Sequence, residues 1–262
     1  MSASEFYRNG QLREAISAQI EEVKAAPTDQ SLRLFLYELL MFNGELDRAR
    51  RQIEAIRYND PDLDAAIIAY RGLINSEQAR RNLFTLGQVP EFIGEPAAHL
   101  NLRLDAVNLL REGHQDEASE LILRANQEMP EIRVTLNGQQ FQNFRNADDL
   151  FAGVLEVFAH GRYIWLGLEQ LRHLTIKPPR YPRDLLFIPV HLETEESEGD
   201  IFLPSTYPGT YEHVSDEVKL GRMTEWKDLG ESVTMGVGLH TFLHGEDISG
   251  ILEWRTWSAE GK

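Results

Sequence analysis

The sequence predicts a multidomain α plus α+β chain, with TPR-like (tetratricopeptide-like) α-helical repeats over residues 1–130 and a β-rich α+β domain over residues 131–262. Two observations support this division. The pattern G-x4-A-x11-P occurs three times in the first part, and its first two copies are displaced by 34 residues, the length of a tetratricopeptide repeat. All four tryptophans and a stretch of period-two alternation lie in the second part.

Each position of the repeated pattern has a physical role in a helix–turn–helix unit. The glycine ends the first helix in a left-handed conformation, and the small alanine lets the second helix pack closely against the first. The proline closes the second helix and begins the turn to the next unit. The three copies are Gly10-Ala15-Pro27, Gly44-Ala49-Pro61 and Gly113-Ala118-Pro130.

Apolar periodicity assigns the helices of the first part. The first copy has only a short leading stretch before its glycine. We expect a helix that ends before Pro27, and a degenerate repeat with a long loop through Pro96. The other expected helices span Leu32–Phe42, Leu46 up to Pro61, Leu63–Leu73, Ser76–Leu86, a leading helix around Leu100–Leu110 and a partner closed by Pro130.

Strand-like segments dominate the second part. We predict one helix there, which starts at Asp148-Asp149, carries Leu150, Val154, Leu155 and Phe158, and stops at His160-Gly161. Pro189 is expected to place its strand at an edge or a bulge. The predicted strands are 132–136, 163–166, 185–192, 201–203 and an alternating run from Val233 to Leu243 whose hairpin partner is 251–257, while the acidic stretch 193–200 is predicted as a solvated turn.

Composition excludes several classes of function. Lys plus Arg number 26 against 42 for Asp plus Glu, and this net charge of −16 argues against nucleic-acid binding. It fits a basic or amphipathic protein partner, or simply a well-solvated acidic surface. There are no cysteines, no visible secretory signal and no apolar run of the length that spans a bilayer. We expect a cytoplasmic protein without membrane insertion.

No set of residues forms a recognisable catalytic or metal site. His240 and His244 have the H-x3-H spacing, but on a strand they would lie roughly 13 Å apart, too far for one metal ion. The Asp148-Asp149 pair is better explained by a helix N-terminus than by acid–base chemistry. We therefore expect no enzyme activity, no cofactor and no metal. The enzyme alternative would need an unrecognised site, and its candidate members are Arg162, Arg183, Asp184, Arg222 and Trp226.

Binding is the better supported class of function, because stacked helix pairs form a groove lined by their leading helices. The apolar members of that lining could equally belong to the core between repeats. By repeat position, the candidates for a protein-binding groove are Leu34, Glu38, Met41, Phe42, Arg103, Val107 and Leu110.

The chain resembles the ImpE/SciE family, also called TagJ, whose members are accessory proteins of type VI secretion systems. Phe187 and Glu225 are mild departures, since tryptophan and aspartate are commoner there. The resemblance covers essentially the whole length and rests on Asn9-Gly10-Gln11-Leu12 with Ala15, Asn43-Gly44-Glu45-Leu46 with Ala49, Asp148-Asp149-Leu150 with Leu155-Glu156-Val157, Gly161-Arg162-Tyr163-Ile164-Trp165, Arg183-Asp184-Leu185-Leu186, Phe202-Leu203-Pro204-Ser205-Thr206-Tyr207 and Leu220-Gly221-Arg222-Met223-Thr224-Glu225-Trp226.

The resemblance implies a non-enzymatic cytoplasmic adaptor. It implies contact with the small subunit of the contractile sheath, through a helix near that subunit's N-terminus, and a link to the ATP-driven unfoldase that recycles the sheath. A general TPR co-chaperone that clamps acidic C-termini is the alternative among binding proteins. The acidic balance of the chain and the absence of lysine from Leu32–Phe42 count against it.

Overall fold

The first part of the chain is helical, as the repeat pattern predicts. A computed structural model describes residues 1–57, 60–230, 232–245 and 247–260. The helices of this part are α1 (Ala3–Arg8), α2 (Leu12–Ala25), α3 (Gln30–Phe42), α4 (Leu46–Glu54), α5 (Pro61–Leu86), α6 (Ala98–Glu112) and α7 (Gln115–Glu128).

The repeat residues have the conformations that the pattern predicts. Gly10, Gly44 and Gly113 all adopt a left-handed backbone, with φ of +76°, +75° and +85°. The alanines five residues later are fully buried where the paired helices meet, namely Ala15, Ala49 and Ala118.

Helix α5 is a correction to the prediction. Residues 61–86 form one helix of 26 residues instead of a helix pair. Gly72 lies inside it, where an added Cβ would be 3.3 Å from the backbone nitrogen of Gly161. The glycine therefore permits a close approach between α5 and the second part of the chain, rather than a break. Helix α4 also ends earlier than predicted, before the buried Ile56, and residues 58 and 59 of the predicted helix lie outside the described part.

A nine-stranded sheet organises the second part. The loop between α5 and α6 supplies its edge strand β1, which pairs in parallel with β6. Residues before the predicted boundary at 130 thus belong to this sheet, and the division into two domains stays a prediction. In spatial order the strands are β1 (Glu91–Phe92), β6 (Arg162–Gly167), β5 (Val154–Ala159), β9 (Glu198–Pro204), β8 (Phe187–Thr194), β7 (Leu171–Ile176), β14 (Thr256–Ala259), β2 (Val134–Leu136) and β3 (Gln139–Phe141).

The helix predicted from Asp148 is wrong. The apolar residues that suggested it belong mostly to β5, which forms a hairpin with β6 through the turn His160-Gly161. All six residues of β5 are buried. A strand covered on both faces has a continuous apolar run, and periodicity alone does not distinguish such a run from a buried helix.

The strand predictions need two further corrections. Pro189 lies on an inner strand, because β8 pairs with both β9 and β7. The carbonyl oxygen of Pro189 accepts a hydrogen bond from the backbone N–H of Lys177, just after the end of β7. The ring nitrogen of Pro189 lies on the same side, where the pairing with β7 ends, so the absence of an N–H group there removes no bond from the ladder. The partner of β12 is β13 rather than residues 251–257, whose last two residues begin β14 of the large sheet.

Two smaller sheets and one short helix complete the second part. The run predicted from Val233 to Leu243 is interrupted near Gly238, where φ is +108°. These elements are α8 (Asp216–Lys219), the pair β10 (Thr224–Gly230) with β11 (Val233–Gly238), and the sheet β13 (Asp247–Gly250), β12 (Thr241–His244) and β4 (Arg145–Asn146).

The segment 211–222 contacts the turns of the first two repeats. Asp216 accepts hydrogen bonds from the backbone N–H groups of Leu12 (2.8 Å) and Arg13 (3.3 Å), so it caps α2, whose own N-cap residue supplies no side-chain bond. At the second turn, Lys219 donates to the side-chain oxygen of Asn43 at 3.0 Å. The repeat turns therefore also dock the second part of the chain.

The repeat glycines provide a matched test of this docking. A Cβ added at Gly44 would lie 2.4 Å from the ring of Tyr211, whereas one added at Gly113 would meet nothing within 4 Å. We expect Gly113→Ala to lower the free energy of unfolding by about 1–2 kcal/mol through left-handed strain alone. Gly44→Ala should lower it by a further 1–3 kcal/mol or so, because the ring of Tyr211 must move. Urea unfolding measures both; equal losses would contradict the docking.

Candidate partner-binding site

The groove predicted on α3 is covered by the chain itself. Of its four candidates, Glu38, Met41 and Phe42 are buried and Leu34 is half-buried. Residues 181–187, here called the Arg183 segment, form part of this cover: Arg183 pairs with Glu38, and Leu186 and Phe187 line one cavity together with Met41 and Phe42. Their buried location supports the alternative that these side chains belong to the core, and a role in partner binding stays a prediction.

The Arg183 segment is held by one buried ion pair. Arg183 Nη1 donates to Glu38 Oε1 at 2.6 Å, and both side chains are almost fully buried. The guanidinium lies between two aromatic rings, with its centre 4.4 Å from the ring of Tyr70 and 4.0 Å from that of Tyr181. Asp184 fixes the turn by accepting backbone N–H bonds from Arg180 and Tyr181. The sequence analysis placed Arg183 and Asp184 in a motif of the family resemblance and among the candidates for an enzyme site, without revealing their contact with α3.

Burial raises the pKa of Glu38 to about 7, while the charge of Arg183 and its hydrogen bond oppose the shift. The carboxyl group lies in a dry site between α3 and the Arg183 segment, so its charged form is disfavoured. The contact between the two parts of the chain therefore includes a group that titrates near neutral pH.

The three candidates on α6 also attach the two parts of the chain to each other. Arg103 is fully buried and donates to the carbonyl oxygens of Asp149 (2.7 Å) and Leu150 (2.9 Å). Burial lowers its pKa to about 10, and the nearby Arg145 acts in the same direction. Val107 is buried and Leu110 is half-buried against the core, so Arg103 and Val107 lie in the interior and Leu110 lies at its margin.

A buried polar network connects α5 to the sheet. Arg80 donates to both carboxylate oxygens of Glu156, at 2.7 and 2.5 Å, and to the carbonyl of Thr206. His240 contacts the same carboxylate at 3.0 Å and the amide of Asn146 at 3.0 Å. Burial by itself would raise the pKa of Glu156, but Arg80 and His240 outweigh it and lower the value to about 2. Because Arg80 and Glu156 are 76 residues apart, no local sequence signal reveals this network.

The other residues of the enzyme alternative have structural partners. Arg162 pairs with Glu91, whereas Arg222 donates to the carbonyl oxygens of Tyr7 and Arg8. The ring of Trp226 packs against Tyr207. The structure therefore gives these side chains separate partners rather than one common site.

Asp148 does not begin an α-helix, contrary to the prediction. It is buried, and its two oxygens accept backbone N–H bonds from Phe151 (3.0 Å) and Gly236 (2.7 Å). Burial raises its pKa to about 7. Asp148 also lines a cleft of about 240 Å³ with Arg81, whose guanidinium centre lies 3.5 Å from the centre of the Tyr211 ring. Both oxygens of Asp148 are used to fix the backbone, so its role in this structure is structural.

An open cavity lies beside the first half of α5. This α5 cleft has a volume of about 560 Å³ and is walled by α5, the end of β5, the β5–β6 turn and the middle of β9. Ile68 at its rim is 66% exposed, and Leu63 one turn earlier on the same helix is 45% exposed. The lining comprises Ala65, Ile68, Ala69, Arg71, Gly72, Leu73, Asn75, Ser76, Phe158, Ala159, His160, Gly161, Asp200, Ile201 and Phe202.

The fold and this cleft define a class of protein: helical repeats fused to a β-rich half, with an open, mainly apolar surface suited to binding another protein. Among the described residues, no helix is both long enough and apolar enough to cross a bilayer.

Comparisons with known proteins agree with the resemblance. The family described as ImpE protein matches residues 138–258. The type VI secretion system accessory component TagJ of Pseudomonas aeruginosa is 34% identical over 231 residues, which cover 88% of this chain and 82% of TagJ. A crystal structure of the Vibrio parahaemolyticus protein VPA1032 matches this structure with a TM-score of 0.90 at 26% sequence identity. The match covers 99% of this chain and 98% of the Vibrio chain.

This chain belongs to the ImpE/TagJ family of type VI secretion accessory proteins. The predicted fold class and family are thereby confirmed, as is a general role in type VI secretion.

The raised pKa of Glu38 predicts that the free energy of unfolding depends on pH. Its pKa is about 7 in the folded chain against an ordinary value of 4.5, so the folded state binds more protons between these values. Its stabilising contribution is therefore complete below the ordinary value and is lost as the pH rises through about 7. Relative to Glu38→Gln, the unfolding free energy of the parent protein should fall by about 2 kcal/mol between about pH 5 and about pH 8.

Denaturant unfolding across this pH range measures the effect. Glu120→Gln, on the exposed face of α7, is the control, and its pH profile should match that of the parent protein. A constant difference between the parent protein and Glu38→Gln would show that Glu38 does not titrate there.

Proposed function

We propose that the chain is a non-enzymatic cytoplasmic adaptor that binds the small sheath subunit of the type VI secretion system. The segment bound is a helix near that subunit's N-terminus. Through this contact the chain is linked to the unfoldase ATPase that recycles the sheath. Membership of the family supports the role in secretion, and the observation that carries the docking mechanism is the open α5 cleft.

The shape of the cleft suits a docked helix. Its wall on α5 carries the small residues Ala65, Ala69 and Gly72, spaced at i, i+4 and i+7 along one helix face. Small side chains let a second helix approach closely, at the lower end of the usual range of about 8–10 Å between axes. The part of α5 that lines the cleft, from Ala65 to Ser76, is about 18 Å long at 1.5 Å per residue, enough for about three turns of a partner.

The chemistry of the cleft suits an amphipathic partner. Ile68 and Phe202 can accept apolar side chains, while Asp200 adds a carboxylate at the edge. With a net charge of −16, the chain also attracts positive groups at long range. A helix with one apolar face and basic flanks matches both features.

The general co-chaperone alternative has less support. A clamp for acidic C-termini needs free cationic side chains on the leading helices. Arg103 is buried and committed to backbone carbonyls, and α3 is covered by the Arg183 segment. The cleft that stays open carries Asp200 as well as Arg71, so its charge is mixed and it does not offer an acidic terminus a cluster of cations.

The docking mechanism predicts a selective loss of affinity. Ile68→Glu places a carboxylate on the apolar rim of the α5 cleft, so we expect it to weaken binding of the sheath subunit's N-terminal helix at least 10-fold, or by about 1.4 kcal/mol. Ile248→Glu makes the same change at a site on β13 that is 59% exposed and outside the cleft. It should leave the affinity unchanged.

Calorimetric titration of the full chain with a peptide of that helix measures these affinities. Equal affinities for both variants would show that the helix does not bind in the α5 cleft. No binding by the parent chain would reject helix docking altogether.

A further inference from the structure

The β8–β9 hairpin places four potential metal-coordinating side chains on one face. His191 pairs across the ladder with Asp200, and Glu193 pairs with Glu198. Residues directly opposite each other in an antiparallel pair share a face, as do residues two apart along one strand. One imidazole and three carboxylates therefore point to the same side of the hairpin. The solvated turn predicted over 193–200 is wrong at both ends, because residues 193, 194 and 198–200 belong to β8 and β9.

The imidazole is oriented by one of these carboxylates. The Nδ1 atom of His191 lies 3.0 Å from an oxygen of Asp200, and its Nε2 atom lies 3.1 Å from an oxygen of Glu198. Lys177 approaches the other oxygen of Asp200 at 3.4 Å. When a metal ion replaces the proton that Nε2 shares with Glu198, a proton kept on Nδ1 and donated to Asp200 leaves the lone pair of Nε2 directed toward the glutamates. A carboxylate behind the imidazole is the usual support for a metal-binding histidine.

Glu193 contributes a carboxylate to this face that is not engaged by another described side chain. Its carboxylate is half-buried and has no hydrogen-bond or ion-pair partner in the part of the chain that the structure describes. One ligand atom each from His191, Glu193 and Glu198 lie within 4.8 Å of one another. His173 is opposite Glu193 on β7, but its Nε2 atom is 3.1 Å from the hydroxyl of Thr175.

We propose that His191, Glu193 and Glu198 bind a divalent first-row transition metal ion such as Zn²⁺, with Asp200 as the residue that positions His191. A nitrogen from imidazole with carboxylate oxygens is a donor set suited to these ions, whereas Mg²⁺ and Ca²⁺ prefer oxygen ligands throughout. Water completes the coordination, because the hairpin face is open to solvent. The site lies on the same hairpin face as Phe202 of the α5 cleft, and Asp200 belongs to both.

Zn²⁺ titration of the untagged full chain tests the site by calorimetry. We expect saturable binding of about one ion per chain, lost in His191→Ala and weakened at least 10-fold in Glu193→Gln. Asp200→Asn should weaken binding by about 10- to 100-fold, because it removes the group that orients the imidazole but no ligand. Since these side chains lie on the surface, thermal unfolding without metal should show that each variant stays folded.

Two variants serve as matched controls. His114→Ala removes an exposed histidine that is paired with one glutamate, Glu117. Glu195→Gln removes a carboxylate from the same hairpin that pairs with Arg172. Both should bind Zn²⁺ as the parent chain does. Cobalt substitution adds a spectroscopic readout, because the visible absorption of bound Co²⁺ should change when the nitrogen ligand is lost in His191→Ala.

The proposal is overturned if the parent chain does not bind Zn²⁺ saturably, if His191→Ala binds as tightly as the parent chain, or if the two controls lose as much affinity as the ligand variants. None of these measurements uses a sheath peptide. Failure of the metal site therefore leaves the adaptor proposal intact, and failure of the adaptor proposal leaves the metal site intact.

Discussion

The buried ion pair between Arg80 of α5 and Glu156 of β5 is the contact on which the arrangement of the two parts depends. Both side chains are almost fully removed from solvent. A buried guanidinium without its carboxylate would cost several kcal/mol, so α5 has little freedom to shift along the sheet. Glu156 is fixed in turn by His240 and by the hydroxyl of Tyr163. The pair thus determines which surface of α5 is covered and which is free.

The position of α5 explains the open cleft. From Ser76 onward the helix lies against the sheet, with the Ser76 hydroxyl bonded to the carbonyl of Arg162. One turn earlier, Gly72 passes the backbone of Gly161 without a side chain between them. Before that point the helix projects beyond the β5–β6 turn, and Ile68 stays exposed. A surface for a partner therefore arises where α5 extends past the sheet.

The helical repeats have an unusual relation to the rest of the chain. In a free repeat array the leading helices would line an open groove. Here Arg183 pairs with Glu38 on the face of α3 that would line such a groove, and Asp216 caps α2 at the repeat turn. A single cluster of buried side chains runs through both parts, from Leu12 in α2 to Trp165 in β6. The repeats thus support the sheet, and the surface proposed for the partner lies on α5 rather than on α3.

The sequence predicted those features that depend on local rules. Left-handed glycines and small alanines at fixed spacing revealed the repeats, because Gly44 and Ala49 each meet a local steric requirement. It failed where tertiary contacts decide. Residues 73 and 76 are not separated by a glycine–proline break, but the sequence does not show that α5 continues through them, because its length depends on packing against the sheet. The apolar content of β5 fits either a buried strand or a buried helix.

The candidate sites were out of reach for the same reason. The α5 cleft joins residues near 68, 160 and 201, which no local pattern relates. The proposed metal site needs the register of β8 and β9, although the spacing of His191 and Glu193 is visible in the sequence. In both cases the chemistry depends on pairings between distant residues.

Hydrogen exchange of the full chain, with and without the sheath subunit's N-terminal helix, tests the central claim most directly. That claim is that the chain's own Arg183 segment fills the groove on α3 and leaves the α5 cleft for the partner. The predicted result is new protection of backbone amides in residues 61–76 and 158–161, with α3 and residues 181–187 unchanged. Protection on α3 together with faster exchange in residues 181–187 would show that the partner displaces the Arg183 segment, and would contradict the claim.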